Sequence, residues 1–143
     1  MDESKVINGS FGECHHEGKW LTNVFKMTAD VEASYGDVKI AGSRWTGQKL
    51  LSLKGTGSIS GYKVTDELAQ QVAVMTNDRK AEFKTELISK LDDPEAFGYE
   101  RVRLKNVKFT KIPVVGWEVG SMIEEEWPFS FTGIEYLDPI SES

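Results

Sequence analysis

Residues 23–32 and 55–64 alternate apolar with polar side chains, as strands do, and a connection of about twenty residues, 33–54, runs between them. A tight hairpin needs only about two to five connecting residues, so a connection this long in a compact domain has a function of its own. It is not solvated filler. Tyr35, Val38, Ile40, Trp45, Leu50, Leu51 and Leu53 sit in it beside Lys39, Arg44 and Lys49, and a disordered linker has no use for so much apolar surface. The pattern predicts a long extended arm, ordered by contact with another copy of the chain. The rest of the sequence then reads as the body that holds the arm out.

That body has ordinary resources. A chain of 143 residues can bury a sizeable core, and the whole length is expected to form a single domain, residues 1–143. A net charge of −6 argues against a protein that holds nucleic acid by neutralising phosphates. One cysteine, Cys14, allows no internal disulfide framework and fits a reducing cytoplasm. With neither a charged-then-apolar leader nor a long apolar run in view, the expectation is a cytosolic product without direct membrane insertion.

Turn signals at Asn8-Gly9 and Glu17-Gly18 bracket a short run, 11–16. In 23–32, Phe25, Met27, Ala29 and Val31 oppose Lys26, Thr28, Asp30 and Glu32. Past the arm, Thr56, Ser58 and Ser60 share one strand face, among glycines that permit close backbone approach or bulging. Thr65 as N-cap, with Leu68, Val72 and Met75 at helical spacing, predicts one short helix near 65–76. Alternation returns over 81–91, and 99–110 is a further strand or strand pair whose register shifts at Asn106. Residues 112–122 are irregular, broken by Pro113, Gly116 and Gly120. The clearest alternation comes last, with Ile123, Trp127, Phe129 and Phe131 against Glu124, Glu126, Ser130 and Thr132. The expected fold is mainly β: an antiparallel sandwich or barrel of about seven or eight strands with one short helix and the long arm.

Candidate chemistry is thin. In Cys14-His15-His16-Glu17, strand alternation lets only Cys14 and His16 share a side, and no further Cys or His exists to complete a zinc set. Both histidines are placed there, which leaves none for a Ser-His-Asp arrangement elsewhere. Gly55-Thr-Gly-Ser-Ile-Ser-Gly61 lacks the ending and the strand-to-helix context of a phosphate loop. Arg44-Trp45 with Lys49 fits an interface better than nucleic acid, given the overall acidity. Glu124, Glu125 and Glu126 read as a solvated strand face rather than paired catalytic carboxylates. No catalytic, cofactor-binding or metal-binding set is expected.

Val31-Glu32, Val38-Lys-Ile40, Gly42-Ser-Arg-Trp-Thr-Gly-Gln-Lys49, Gly55-Thr-Gly57 and Tyr62-Lys-Val-Thr65 together resemble the tail tube proteins of PBSX-like prophages. Tyr99-Glu-Arg-Val-Arg-Leu104 and Glu124-Glu-Glu-Trp-Pro-Phe-Ser-Phe-Thr132 resemble the later strands of that family. The resemblance implies a non-enzymatic structural protein: the inner tube of a contractile phage tail or a phage-tail-like bacteriocin. Hexameric rings would stack into a hollow conduit for DNA or ions, assembled in the bacterial cytoplasm. Implied partners are other copies of the chain, a tail sheath protein, baseplate and tape-measure proteins, and DNA passing without specific binding.

On that reading Tyr35, Val38, Lys39, Ile40, Arg44, Trp45 and Lys49 form the inter-ring stacking arm. Lys26, Thr28, Asp30, Glu32, Thr56, Ser58, Ser60, Glu124 and Glu126 are candidates to face the lumen. The polar faces of 26–32, 82–90 and 124–132 hold six acids (Asp30, Glu32, Glu82, Glu86, Glu124, Glu126) against three lysines. A channel lined by them would be net negative and would not trap DNA. Two alternatives remain: a monomeric β-barrel that binds a small ligand in an apolar pocket, and a secretion-system tube protein of the same fold.

Overall fold

A computed structural model describes residues 2–63, 67–73, 84–94, 99–138 and 140. After short 3-10 turns at Glu3–Lys5 and Gly9–Phe11 come β1 (Gly12–His16), β2 (Lys19–Trp20), β3 (Val24–Lys39), β4 (Thr46–Tyr62), α1 (Glu67–Val72), β5 (Thr85–Leu91), β6 (Glu100–Phe109), β7 (Glu124–Phe131) and β8 (Gly133–Asp138). The eight strands pair antiparallel in the order β2-β1-β5-β6-β7-β4-β3, with β8 also on β6. This is the mainly β fold with one short helix that the alternation predicts.

The 33–54 connection is not a loop. β3 and β4 continue through it as one ladder, from Val24↔Gly61 to Lys39↔Thr46, leaving only residues 40–45 as the turn. Tyr35, Leu50 and Leu53 are strand side chains, so the expected arm is a β-hairpin whose strands are simply much longer than usual. Within it β4 carries one extra residue: Ser34 faces Ser52, Tyr35 faces Leu50, and Leu51 is the bulge. The Leu51 side chain lies over Gly36, where a Cβ would meet its Cδ1 at 3.1 Å.

β6 is the hinge between two halves of the sheet. Its first part, Arg101–Lys105 and flanking residues, pairs with β5 and β8, whereas Lys108 and Phe109 pair with β7. The change happens at Asn106, which adopts a left-handed φ of +53°. Asn tolerates that conformation better than most residues. Opposite β5, the ladder jumps from Thr85↔Val107 to Leu87↔Leu104, the register shift expected at this position. Asn106 Nδ2 donates to Thr132 Oγ1 at 3.0 Å, and Thr132 N–H donates to the Lys105 carbonyl at 3.1 Å. Thr132 separates β7 from β8, so the two bends lie side by side and turn together.

The core fills the space between the halves. Ile59, Leu87, Leu104, Val107, Phe109, Trp127, Phe129 and Phe131 are buried, together with Cys14 of β1 and Val72 of α1. Phe109 meets Trp127 and Phe129 edge-on at ring-centroid distances of 5.4 and 6.2 Å. The glycines of β4 make room for these rings: a Cβ on Gly57 would stand 2.8 Å from Phe129 Cζ and press on the Thr28 carbonyl. Close approach is thus their role. β1 and β2 join through Glu17 and Gly18, both at positive φ, as a two-residue hairpin requires.

Two expectations need correction or restriction. β3 does not bury its apolar face: Phe25 sits in a bulge between Val24 and Lys26, largely exposed against Tyr62, and Ala29 and Val31 are exposed too. Only Met27 of that set packs against the core. The helix forms with Val72 fully buried and Leu68 half-buried, but Thr65 and Met75, and residues 81–83 of the strand expected over 81–91, lie outside the described residues.

Candidate functional site

Strand registers assemble a polar face from three strands. Asp30 faces Thr56 and then Ser130, Thr28 faces Ser58 and then Pro128, and Lys26 faces Ser60 and then Glu126. Tyr62↔Glu124 lies at one end of this face and Glu32↔Lys54 toward the other. All nine residues singled out in the sequence as lumen candidates therefore share one side of β3, β4 and β7. Met27, Ile59, Trp127 and Phe129 occupy the opposite, core-facing side. Thr28 Oγ1 and Ser58 Oγ are 3.4 Å apart, part of a hydroxyl-rich band across the middle of the face.

The charge of that face differs from the expectation. β5 pairs between β1 and β6, so Glu86 and Lys90 do not join it, and Glu82 lies outside the described residues. The registers instead add Lys54 opposite Glu32, Lys108 opposite Ser130, and Lys49 opposite Gly36. Setting aside Lys49, which lies out on the projecting hairpin, four acids (Asp30, Glu32, Glu124, Glu126) stand against three lysines (Lys26, Lys54, Lys108), so the face is close to balance rather than strongly negative.

The hairpin projects from the same strands. β7 accompanies β4 only over Gly55 to Tyr62, so Thr46 to Lys54 extends past the body with β3 as its only strand partner among the described residues. At about 3.3 Å per residue that is a projection of ~30 Å. Apolar groups occupy both of its faces. On one side are Val31, Ala33, Tyr35, Leu50 and Leu53; on the other Leu51, Val38 and Ile40, the last lying over Gly47. Each of the larger groups is at least two-fifths exposed. Strands that are apolar on both faces belong in a setting buried on both faces.

The turn at the tip is ordered, with Gly42 at φ +74°, Ser43 N–H donating to the Ile40 carbonyl at 3.3 Å and Trp45 N–H donating to Ser43 Oγ at 3.0 Å. It presents Trp45 at 81% exposure, next to Arg44 and Lys39. The seven arm residues chosen from the sequence are all on this hairpin.

One surface escaped the sequence reading. The β6–β7 connection leaves Val114, Val115, Trp117, Val119 and Met122 between 71% and 89% exposed. The available signal was compositional: large apolar side chains in a segment with neither helical nor strand spacing have no core face to occupy.

Elsewhere the site residues are structural. Cys14 and His16 share the buried side of β1; His16 Nε2 hydrogen-bonds Thr85 Oγ1 at 2.9 Å, while His15 Nε2 lies 3.1 Å from Glu13 on the outer side. Burial pushes the Cys14 thiol up to about 12. Among the described residues no group of three or more His, Cys, Asp or Glu side chains could hold a metal ion. A cleft of about 360 Å³ beside α1 mixes His16, Glu17, Lys19, Asn23 and Glu125 with Trp20, Leu21, Ile59 and Leu68. That lining is unlike the apolar enclosure a small-ligand barrel needs.

Comparison with known proteins agrees with this geometry. Two curated proteins of Bacillus subtilis (strain 168) align along the whole chain and 98% of their own length: uncharacterized protein YqbM at 33% identity, and phage-like element PBSX protein XkdM at 30%. Among solved structures, the anti-feeding prophage tube-terminating cap superposes with a TM-score of 0.74, covering 93% of this chain and 91% of that one at 6% identity. The sheath-tube complex of the extracellular contractile injection system PVC gives 0.71, covering 91% and 90% at 7% identity. A native gene transfer agent virion gives 0.55, covering 92% and 98% at 16% identity. These structural likenesses speak for the fold. A family model described as "Phage tail tube protein" matches residues 1–138, and the chain belongs to that family.

Proposed function

We propose that the protein builds the inner tube of a contractile tail or tail-like particle as hexameric rings stacked end to end. The β3–β4 hairpin reaches the adjoining ring, and the polar face of β3, β4 and β7 lines the channel. The observation that carries this reading is the hairpin itself: a ladder extending ~30 Å beyond the body with apolar groups on both faces. A monomer would leave that surface in water, whereas insertion between copies covers both sides.

The polar face suits a conduit. Its middle is hydroxyl-bearing (Thr28, Thr56, Ser58, Ser60, Ser130), and its lysines, Lys26, Lys54 and Lys108, are spread over three strands without a basic cluster. DNA affinity grows with the number of phosphates neutralised by neighbouring cations, so a wall with no excess of cations passes DNA without holding it. Among the described residues β3 is an edge strand, and closing a ring removes such edges and the uncontrolled pairing they invite. The partners on this reading are a sheath around the tube, a baseplate where it starts and a tape-measure protein inside it. Assembly takes place in the bacterial cytoplasm.

Replacing residues 36–51 by a short Gly-Ser turn tests the role of the hairpin. The body keeps its core and is expected to fold, giving a cooperative melt, but to form no tubes. Long tubes from this variant would remove the hairpin from the stacking contact.

A further inference from the structure

The hairpin needs a seat on the next copy, and the exposed β6–β7 loop has the position, chemistry and charge to be that seat. Position follows from register. The first rung of the β3–β4 ladder, at the tip, joins Lys39 to Thr46, while Tyr62 at the other end of β4 pairs with Glu124, the first residue of β7. Lys63 N–H donates to the Ile123 carbonyl at 2.8 Å, so the loop that ends at Ile123 is tied to the end of β4 away from the tip. β4 spans Thr46–Tyr62, ~55 Å at about 3.3 Å per residue. The two surfaces therefore lie at opposite poles of one sheet.

Chemistry makes the poles match. At the tip, Trp45 and Ile40 are exposed beside Lys39, Arg44 and Lys49. At the far pole, Val114, Val115, Trp117, Val119 and Met122 are exposed around Glu118. The loop is anchored toward its ends: Thr110 N–H donates to the Pro128 carbonyl at 2.9 Å, Ile112 packs against the core, and Ser121 N–H closes a turn onto the Glu118 carbonyl at 3.2 Å. An anchored loop that holds large apolar groups in solvent marks an interaction surface. Trp, Met and Arg are the side chains enriched at such surfaces. Complementary patches at opposite poles give a head-to-tail contact, which repeats without limit instead of closing a pair.

We propose that the loop over residues 114–122 receives the hairpin tip of the copy stacked end-on. Trp45 and Ile40 pack among Val115, Trp117, Val119 and Met122, and Arg44 lies toward Glu118. This rests on the hairpin's being the stacking element and adds the surface that it meets.

The test uses the full chain in assembly assays. Trp117→Ser with Val119→Ser is expected to leave the thermal melt unchanged and to raise the concentration needed for tubes by about tenfold or more. Arg44→Glu is expected to weaken assembly, and Glu118→Arg in the same chain to restore it, because every contact then carries both reversed charges. In a Trp45→Cys, Trp117→Cys protein, a short bis-maleimide is expected to give a ladder of linked copies from tubes and none from dilute protein. Normal tubes from the loop variant, with none from the hairpin deletion, would overturn the seat and leave the hairpin reading standing. Normal tubes from both variants would overturn both. Loop-variant tubes that form normally but no longer take up sheath would assign the loop to the sheath and overturn the seat. Failure of the charge swap to restore assembly, together with no ladder, would overturn it even if the serine variant folded poorly.

Discussion

Single side chains show which groups serve the fold and which are held out for something else. Cys14 is buried on β1, and desolvation pushes its thiol well above the ordinary thiol range, up to about 12. Folded protein should therefore react with a thiol reagent at pH 8 far more slowly than unfolded chain, as a timed labelling assay would show. The same shift sets a sign for stability. The unfolded thiol ionises first, so the Cys14 contribution is full below pH 9 and is lost as pH rises toward about 12. Denaturant midpoints measured across that window should fall for the native chain and fall less for Cys14→Ala. Gly57 is the matching case for backbone approach. Gly57→Ala would drive a Cβ into Phe129 and the Thr28 carbonyl, and an overpacked core of this kind costs about 1–3 kcal/mol. A denaturant titration reads it, and an unchanged midpoint would mean that β3 and β4 slide apart easily.

At the scale of elements, the hairpin and the bent strand β6 explain how the sequence is used. Trp45 lies at the tip with 81% of its surface exposed, so it adds little to the stability of the isolated chain. Trp45→Ala should move the melting temperature by less than the error of the measurement. It should still weaken assembly by about 2 kcal/mol or more, as expected for an aromatic anchor. Equal losses in both would place Trp45 in the body.

The arm was legible in the sequence because its apolar content contradicted a loop. Its strand geometry was not, because the Leu51 bulge breaks the alternation midway and both faces are apolar beyond it. Alternation located the polar face of β3, β4 and β7 residue by residue, since a strand period of two fixes sides whatever the partner. Its charge could not be read that way. Which strands adjoin it is a matter of topology, and the topology brings in Lys54 and Lys108 while sending β5 to the other half of the sheet. The shift at Asn106 was visible as a break in pattern, but its role as the bend shared with Thr132 appears only when β7 and β8 are laid beside β6. The β6–β7 loop carries no periodicity, so nothing in its spacing marks the surface that an anchored loop makes.

For the whole molecule, the features converge on a subunit that is incomplete alone. Its core lies between the two halves of the sheet, while large apolar groups stand in solvent at both poles of β4. Among the described residues β3 is also an edge strand. Lateral closure and end-on stacking would cover all of these, and membership of the phage tail tube family gives the assembly its identity. The most direct test of this account is electron microscopy of the purified protein over a range of concentrations, with its solution mass measured on the same samples. The account predicts hollow rings with six-fold symmetry that lengthen into tubes as concentration rises or when preformed tube ends are added. A protein that stays monomeric at every concentration, and does not extend those ends, would contradict it.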